Sequence, residues 1–212
     1  MAVTFQLIMS LDGYVAGPDQ SVEDPLGVGM TRAFAWFFEL EVWRRVQGIQ
    51  GGEVNESTAV IEEARANVGA YVMGRNMFGG GRGPWPEDPP WRGWWGENPP
   101  YHVPVYVLTH YARDPLEMQG GTTFRFVTDG TRSALDEAQQ AAGDRDVRIA
   151  GGADTVRQYL REGLVDEFEL SVAPVLLGDG ERLFENVGDV RLEQVRAVAA
   201  PGVTHLRYRI GR

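Results

Sequence analysis

Residues 149–160 read IAGGADTVRQYL: the apolar run VRIA ends on Gly151 and Gly152, and a helix-like pattern begins at once. A chain that passes from strand to helix through two glycines, with no loop between, is committed to a βα unit at that point. Two physical readings of the pair stay open. Glycine adopts backbone angles closed to other residues, so the pair fits a tight turn. Side-chain-free backbone also lets an anion approach the free N–H groups of a helix N-terminus, so the pair fits a phosphate seat.

The rest of the chain alternates in the same way. VTFQLIMS (3–10) is a near-continuous apolar strand, as expected of one buried on both faces, and it ends in the irregular LDGYVAGPD. Phe34, Phe37, Phe38, Val42 and Trp43 recur at helical spacing, which predicts one helix from Thr31 to about Gln47. A second helix is predicted over 56–66, with Asn55 as its cap and Gly69 beyond its end. Strands follow at 70–78, running into Gly74-Arg75-Asn76, then at 104–110 and 122–128, and a helix at about 133–142 stops at Gly143. After the glycine pair come a helix over 153–162, an alternating strand at 166–177 with one polar face, and two strands joined by Pro201-Gly202. The pattern predicts one α/β domain over 1–212, its sheet mostly parallel with an antiparallel C-terminal hairpin.

Composition removes whole classes of chemistry. All 20 basic side chains are arginine and there is no cysteine. Lysine Schiff bases, thiolate nucleophiles, disulfides and cysteine metal sites are therefore excluded. A net charge of −10 without a basic cluster argues against nucleic acid and anionic membrane as partners. No apolar run is long enough to span a bilayer, and the N-terminus lacks a signal-peptide pattern, so a cytoplasmic protein is expected. His102, His110 and His205 show no metal-ligand spacing, no metal is expected, and the three read as surface or loop groups.

Ligands of open α/β sheets bind beyond the carboxyl ends of the strands. Four segments fall there: Ser10-Leu11-Asp12-Gly13, Gly74-Arg75-Asn76, Thr109-His110 and Gly151-Gly152-Ala153-Asp154. Arg75 beside a glycine suits phosphate recognition. The G-x-G-x-x-G dinucleotide fingerprint is absent. The segment 79–102 holds Trp85, Trp91, Trp94 and Trp95 among prolines and glycines. It reads as a long functional loop, with Trp94 and Trp95 as candidate walls of a substrate pocket or, equally, as a cover for the sheet edge or a subunit contact.

Taken in order, SLDGYVAG, YVMGRNMF, VYVLTH, IAGGADTVRQYL and LVDEFELSVAPVLLGDGERLF resemble the dihydrofolate-reductase-like family. Within it the chain is most similar to the reductase domain of riboflavin biosynthesis, the C-terminal domain of the bacterial bifunctional deaminase-reductase. The resemblance covers nearly the whole chain. It implies a three-layer α/β fold of the dihydrofolate-reductase type, NADPH as cofactor, hydride transfer to a small heterocyclic or sugar-linked substrate, and a homodimer.

Carried over residue by residue, Gly74 and Arg75 match the family's Met-Gly-Arg motif, which holds cofactor phosphates, and Thr109 and His110 fall on the adenosine side. Gly151 and Gly152 match the glycine pair that lies against the pyrophosphate, with Ala153 and Thr155 in the following first helical turn as further cofactor-side residues. Met9, Ser10 and Ala16 border the nicotinamide. Asp12 is the candidate catalytic group, as a substrate-side acid, or else a turn aspartate bonding its own backbone. Tyr14 or water could donate the proton instead. Gly178 and Gly180 resemble a glycine loop closing over the substrate, or form a plain turn. Glu39 and Glu41 do not align with the helix acid of true dihydrofolate reductases and read as solvated charges. The alternatives to a reductase are a nucleotide-binding protein without turnover and, less favoured, a genuine dihydrofolate reductase.

Overall fold

The computed structural model describes residues 1–81, 83–86 and 90–211. The chain opens with β1 (Val3–Ser10) and the short β2 (Tyr14–Ala16). A 3-10 turn (Met30–Phe34) then runs into α1 (Ala35–Phe38), α2 (Glu41–Val46) and α3 (Glu56–Ala66). Next come β3 (Val68–Gly74), the one-turn α4 (Arg75–Phe78), β4 (Pro104–Leu108), β5 (Leu116–Glu117) and β6 (Thr123–Val127). They are followed by α5 (Thr131–Ala142), β7 (Asp146–Gly151), α6 (Ala153–Arg161) and β8 (Glu167–Ala173). β9 (Glu181–Arg182) and the hairpin β10 (Leu192–Ala200) and β11 (Val203–Ile210) complete it.

Nine strands form one sheet in the order β10-β11-β8-β1-β7-β3-β4-β6-β5, and β2 pairs with β9 separately. The six strands from β8 to β6 run parallel, while the hairpin and β5 are antiparallel at the two margins. Each parallel step requires a crossover, and α5 and α6 supply two of them. They cover one face, where Leu135, Val156 and Tyr159 pack on Phe5, Val72 and Ile149. On the opposite face, Phe37, Leu40, Val42 and Ile61 pack near Ile8. The tryptophan-rich loop covers the β3–β4–β6 side, its rings packed around Phe78, Val105, Val107 and Phe124. The result is the three-layer α/β fold expected. Among the described residues no helix is long and apolar enough to cross a membrane.

Several local expectations need correction. The single helix over 31–47 is broken at Leu40, whose backbone is extended (ψ 139°) and whose side chain is fully buried. The returning chain bonds across the break, with Glu53 N–H donating to Glu39 O at 2.7 Å and Glu41 N–H to Glu53 O at 2.9 Å. Periodicity could not show this, because the apolar spacing is unchanged by the kink. Gly69 lies beyond the end of α3 as expected, but already inside β3, where a β-carbon would sit 2.8 Å from Ala142 Cα at the end of α5. The strand expected to reach residue 177 stops at Ala173, before Pro174. By contrast α3 occupies 56–66 as expected, with Asn55 accepting from Ser57 N–H and Thr58 completing a capping box.

The polar face of β8 is turned inward. Glu169 is only 6% exposed, and Arg196 of β10 bridges it at 3.2 Å and Glu63 of α3 at 2.6 Å. Arg207 of β11 binds Glu63 and Glu167, so this network ties α3 to three strands.

His205, expected at the surface, is fully buried on β11. Its two ring nitrogens lie 2.9 Å from the hydroxyls of Ser57 and Ser171, and Trp36 meets it edge-on. Burial, reinforced by the Arg196 charge, lowers its pKa from 6.5 to about 4. The folded state therefore binds the proton more weakly than the unfolded chain. The stability contribution is fully present above pH 6.5 and is lost as pH falls through 4, on the order of 3 kcal/mol in all. Urea titrations across this range are expected to show that decline, and His205→Gln is expected to flatten it; an equally steep acid limb in the variant would refute the assignment.

Candidate active site

β1, β3, β4 and β7 end side by side at one edge of the sheet, and the glycine junctions meet there. A β-carbon on Gly74 would fall inside the contact radius of Thr155 Oγ1, so β3 can approach the first turn of α6 only because residue 74 lacks a side chain. Thr155 is itself 6% exposed. Its place is thus the packing contact that joins the two junctions.

The glycine pair divides its work. Gly151 has φ +128°, a conformation L-residues rarely adopt, and the Gly151–Gly152 peptide bond is cis. Gly152 has φ −73°, open to any residue, and a β-carbon there would meet no atom within 4 Å. The turn requirement therefore rests on Gly151, while Gly152 faces open space at the mouth of α6. That helix has no side-chain cap, and its first backbone bond runs from Val156 N–H to Gly152 O at 3.1 Å. The N–H groups of Ala153, Asp154 and Thr155 precede that bond, as at any helix start. The Asp154 carboxylate does not cover them, because Gln158 Nε2 donates to it at 2.6 Å and Arg157 lies 3.7 Å away.

Arg75 opens α4. Its guanidinium donates to the carbonyls of Gly79 and Gly80 and stacks on the Trp85 ring at 3.3 Å from the centroid. Arg113, from the segment after β4, lies over the same ring at 5.1 Å. Arg75 Nε and Arg113 Nη1 are buried without hydrogen-bond partners. Burial and the neighbouring Arg113 charge lower the Arg75 pKa to about 10, so it remains cationic at neutral pH. Trp85 Nε1 donates to Tyr111 O at 2.8 Å, and Tyr111 N–H to Thr109 Oγ1 at 3.1 Å, which fixes the end of β4. His110 beside it is exposed. Arg113 escaped the sequence reading, marked only as an arginine soon after a strand end, and Trp85 is legible there only as part of the long loop, without its place over Arg75.

At the end of β1, Ser10 donates to Asp12 Oδ1 at 2.6 Å and accepts from Tyr14 N–H at 2.9 Å. Asp12 also accepts from the N–H groups of Leu177 (3.0 Å) and Gly178 (2.8 Å). These bonds, the Ser10 hydroxyl first, lower its pKa to about 2. Ionised and committed to three donors, Asp12 is a clamp between two loops. Tyr14 donates to Gly178 O and accepts from Arg182 Nε, both at 3.2 Å, with the Arg182 guanidinium over its ring. Met9 is partly buried against the core cluster. Ala16 pairs with Glu181 of β9.

Trp94 Nε1 donates to Met77 O at 3.1 Å, and Trp95 stacks on Phe124. Trp95 thus covers the sheet and Trp94 packs on α4 and Gly79, while Met77 Sδ borders Gly151. Part of this loop (residues 82 and 87–89) lies outside the described residues. Among the described residues, no group of His, Asp or Glu side chains is placed to hold a metal.

Comparison with known proteins agrees with this architecture. Two uncharacterised proteins of Bacillus subtilis (strain 168), YyaP and YwjB, are each 37% identical, over 85 and 62 residues. Those stretches span 39% and 29% of this chain and 45% and 35% of the relatives' own lengths. Among solved structures, a putative riboflavin biosynthesis protein from Shewanella sp. PV-4 superposes with a TM-score of 0.64 at 21% identity, covering all of both chains. The Saccharomyces cerevisiae riboflavin biosynthesis reductase Rib7 gives 0.56 at 14% identity, covering 99% of this chain and 90% of that one. Dihydrofolate reductase from Enterococcus faecalis, complexed with NADP(H), gives 0.54 at 12% identity, covering 100% and 97%. The model of the RibD C-terminal domain matches residues 1–206, and the chain belongs to that family.

Proposed function

We propose that the chain is an NADPH-dependent reductase that delivers hydride to a small heterocyclic or sugar-linked substrate. The observation that carries this is the uncapped start of α6, opening on empty space at Gly152. The cationic pair Arg75 and Arg113, each with a buried unpartnered nitrogen, stands at the same edge of the sheet. Both features suit the phosphates of a dinucleotide.

In this reading Gly152 and the first-turn N–H groups of Ala153, Asp154 and Thr155 hold the pyrophosphate. Arg75, with Arg113, holds the adenosine-side phosphate near Thr109 and His110. The bound cofactor supplies the hydride, and the protein binds, orients and excludes water. The Asp12 clamp holds the β1 loop to the Leu177–Gly178 loop on the substrate side. The Tyr14 hydroxyl, flanked by Arg182, is the proton donor this loop can offer, with water the other source.

Loss of NADPH absorbance, followed with a panel of ribosylated pyrimidines, pterins and related heterocycles, tests the proposal. Enzyme-dependent oxidation with at least one acceptor is the expected result. Tight NADPH binding with no turnover on any acceptor would instead favour a nucleotide-binding protein that kept the fold.

A further inference from the structure

A cleft of about 470 Å³ opens where α2 and α3 face the segment that enters β4. Val68 and His102, which line it, stand at the starts of β3 and β4, whereas Gly74 and Thr109 stand at their ends. It therefore sits at the opposite edge of the sheet from the glycine junctions. Tyr71 alone reaches further along β3, and still falls roughly 10 Å short of Gly74 at about 3.3 Å per residue. The volume is that of a small-molecule site.

Its lining is out of keeping with the chain. The sequence carries 30 acidic residues and only 20 arginines, yet the cleft is walled by Arg45, Arg65, Tyr71, Asn98, Tyr101 and His102 and by no carboxylate. Among the described residues Arg65 forms no ion pair, and its charge is felt by both Tyr101 and Arg148. Arg45 is held only loosely, at 3.8 Å from Glu41 and 3.5 Å from Glu62. Tyr71 and Tyr101 meet edge to face at 4.9 Å between centroids, which makes a rigid aromatic corner.

Behind that corner stands Arg148, paired in register with Tyr71 on the neighbouring strand. Its Nε is buried without a partner, and Nη1 reaches only Gln6 Oε1 at 3.5 Å. Among the described residues no carboxylate bonds it: Glu169 and Asp146 offset its charge only through space, which leaves a gain for a further anion nearby. Aromatic rings and arginine forks together suit a planar group that carries an oxyanion.

We propose that this cleft is a second ligand site, which takes a small aromatic molecule bearing an oxyanion. The ring lies against Tyr71 and Tyr101 and the anion faces Arg65 and Arg45, with Arg148 adding charge from behind. A phosphate monoester and a carboxylate share this chemistry. The site stands apart from the cofactor seat and does not depend on it.

Calorimetric titration of the whole protein with phenyl phosphate and with benzoate, against inorganic phosphate and phenol, tests the assignment. Saturable binding of phenyl phosphate or of benzoate is expected, and whichever binds more tightly names the oxyanion. Inorganic phosphate and phenol are expected to bind at least tenfold more weakly. Arg65→Ala, an exposed change at the end of α3, is expected to weaken the preferred probe at least tenfold, with Arg65→Lys recovering part of the loss. NADPH affinity should be unchanged in both variants, and Gly152→Val should leave the probe's affinity intact. The proposal is overturned if neither aromatic anion binds, if inorganic phosphate binds as tightly, or if Arg65→Ala has no effect. It is also overturned if Gly152→Val abolishes probe binding, since the anion would then sit at the glycine junction.

Discussion

Gly74→Ala is expected to destabilise the protein by about 1–3 kcal/mol, the usual penalty for overpacking a well-filled contact. Thr155→Ala in the same chain is expected to return most of that loss. The added methyl would fall within the radius of Thr155 Oγ1, on a residue that is 6% exposed and lies in the first turn of α6. Neither β3 nor α6 can retreat cheaply, because β3 is flanked by β7 and β4 and α6 is packed through Val156 and Tyr159. Removing the hydroxyl leaves Thr155 Cβ at 3.5 Å, an ordinary contact. A double-mutant cycle by urea unfolding measures the coupling directly. Coupling near zero would mean that Gly74 does not set the approach of strand to helix.

Gly152→Val is expected to have the opposite character, a modest effect on stability and a large one on binding. With φ −73° and no atom within 4 Å of its β-carbon, position 152 accepts a side chain in the free protein. The expected loss is about 0.5–1 kcal/mol, from poorer capping of α6. The same side chain fills the space in which a phosphate would meet the first-turn N–H groups. A helix terminus contributes about 0.3–1 kcal/mol to an anion, and up to ~2 when partly buried. Charge-assisted hydrogen bonds add roughly 1.5–3 kcal/mol each. Blocking several of these together should weaken NADPH at least tenfold, or about 1.4 kcal/mol. Gly151→Val supplies the contrast: at φ +128° a side chain is strained whatever the space, so stability should fall first.

The sequence disclosed elements wherever local chemistry decides them. Asn55 before an apolar-periodic run, Gly143 after one, and Pro201-Gly202 between two alternating strands each placed a boundary close to its observed position. It could not disclose what depends on tertiary pairing. The kink at Leu40 is made by Glu53 returning from beyond a glycine turn. The inward polar face of β8 is satisfied by arginines of β10 and β11 and by α3. His205 is buried because two serines, 34 and 148 residues away, converge on it.

The candidate site divides in the same way. The glycine pair was visible as a junction, but its division into a turn residue and an open residue is a matter of φ angles and free space. Asp12 was visible as a strand-end acid, whereas its partners at Leu177 and Gly178 arrive from 165 and 166 residues along the chain.

The central claim is that the open start of α6 seats the phosphates of NADPH. Calorimetric titration of NADPH into the wild-type protein and into folded Gly152→Val, with their unfolding transitions measured alongside, tests it most directly. The account predicts saturable binding to the wild-type protein and at least a tenfold loss in a variant that remains folded. Equal affinity in the two proteins would contradict it.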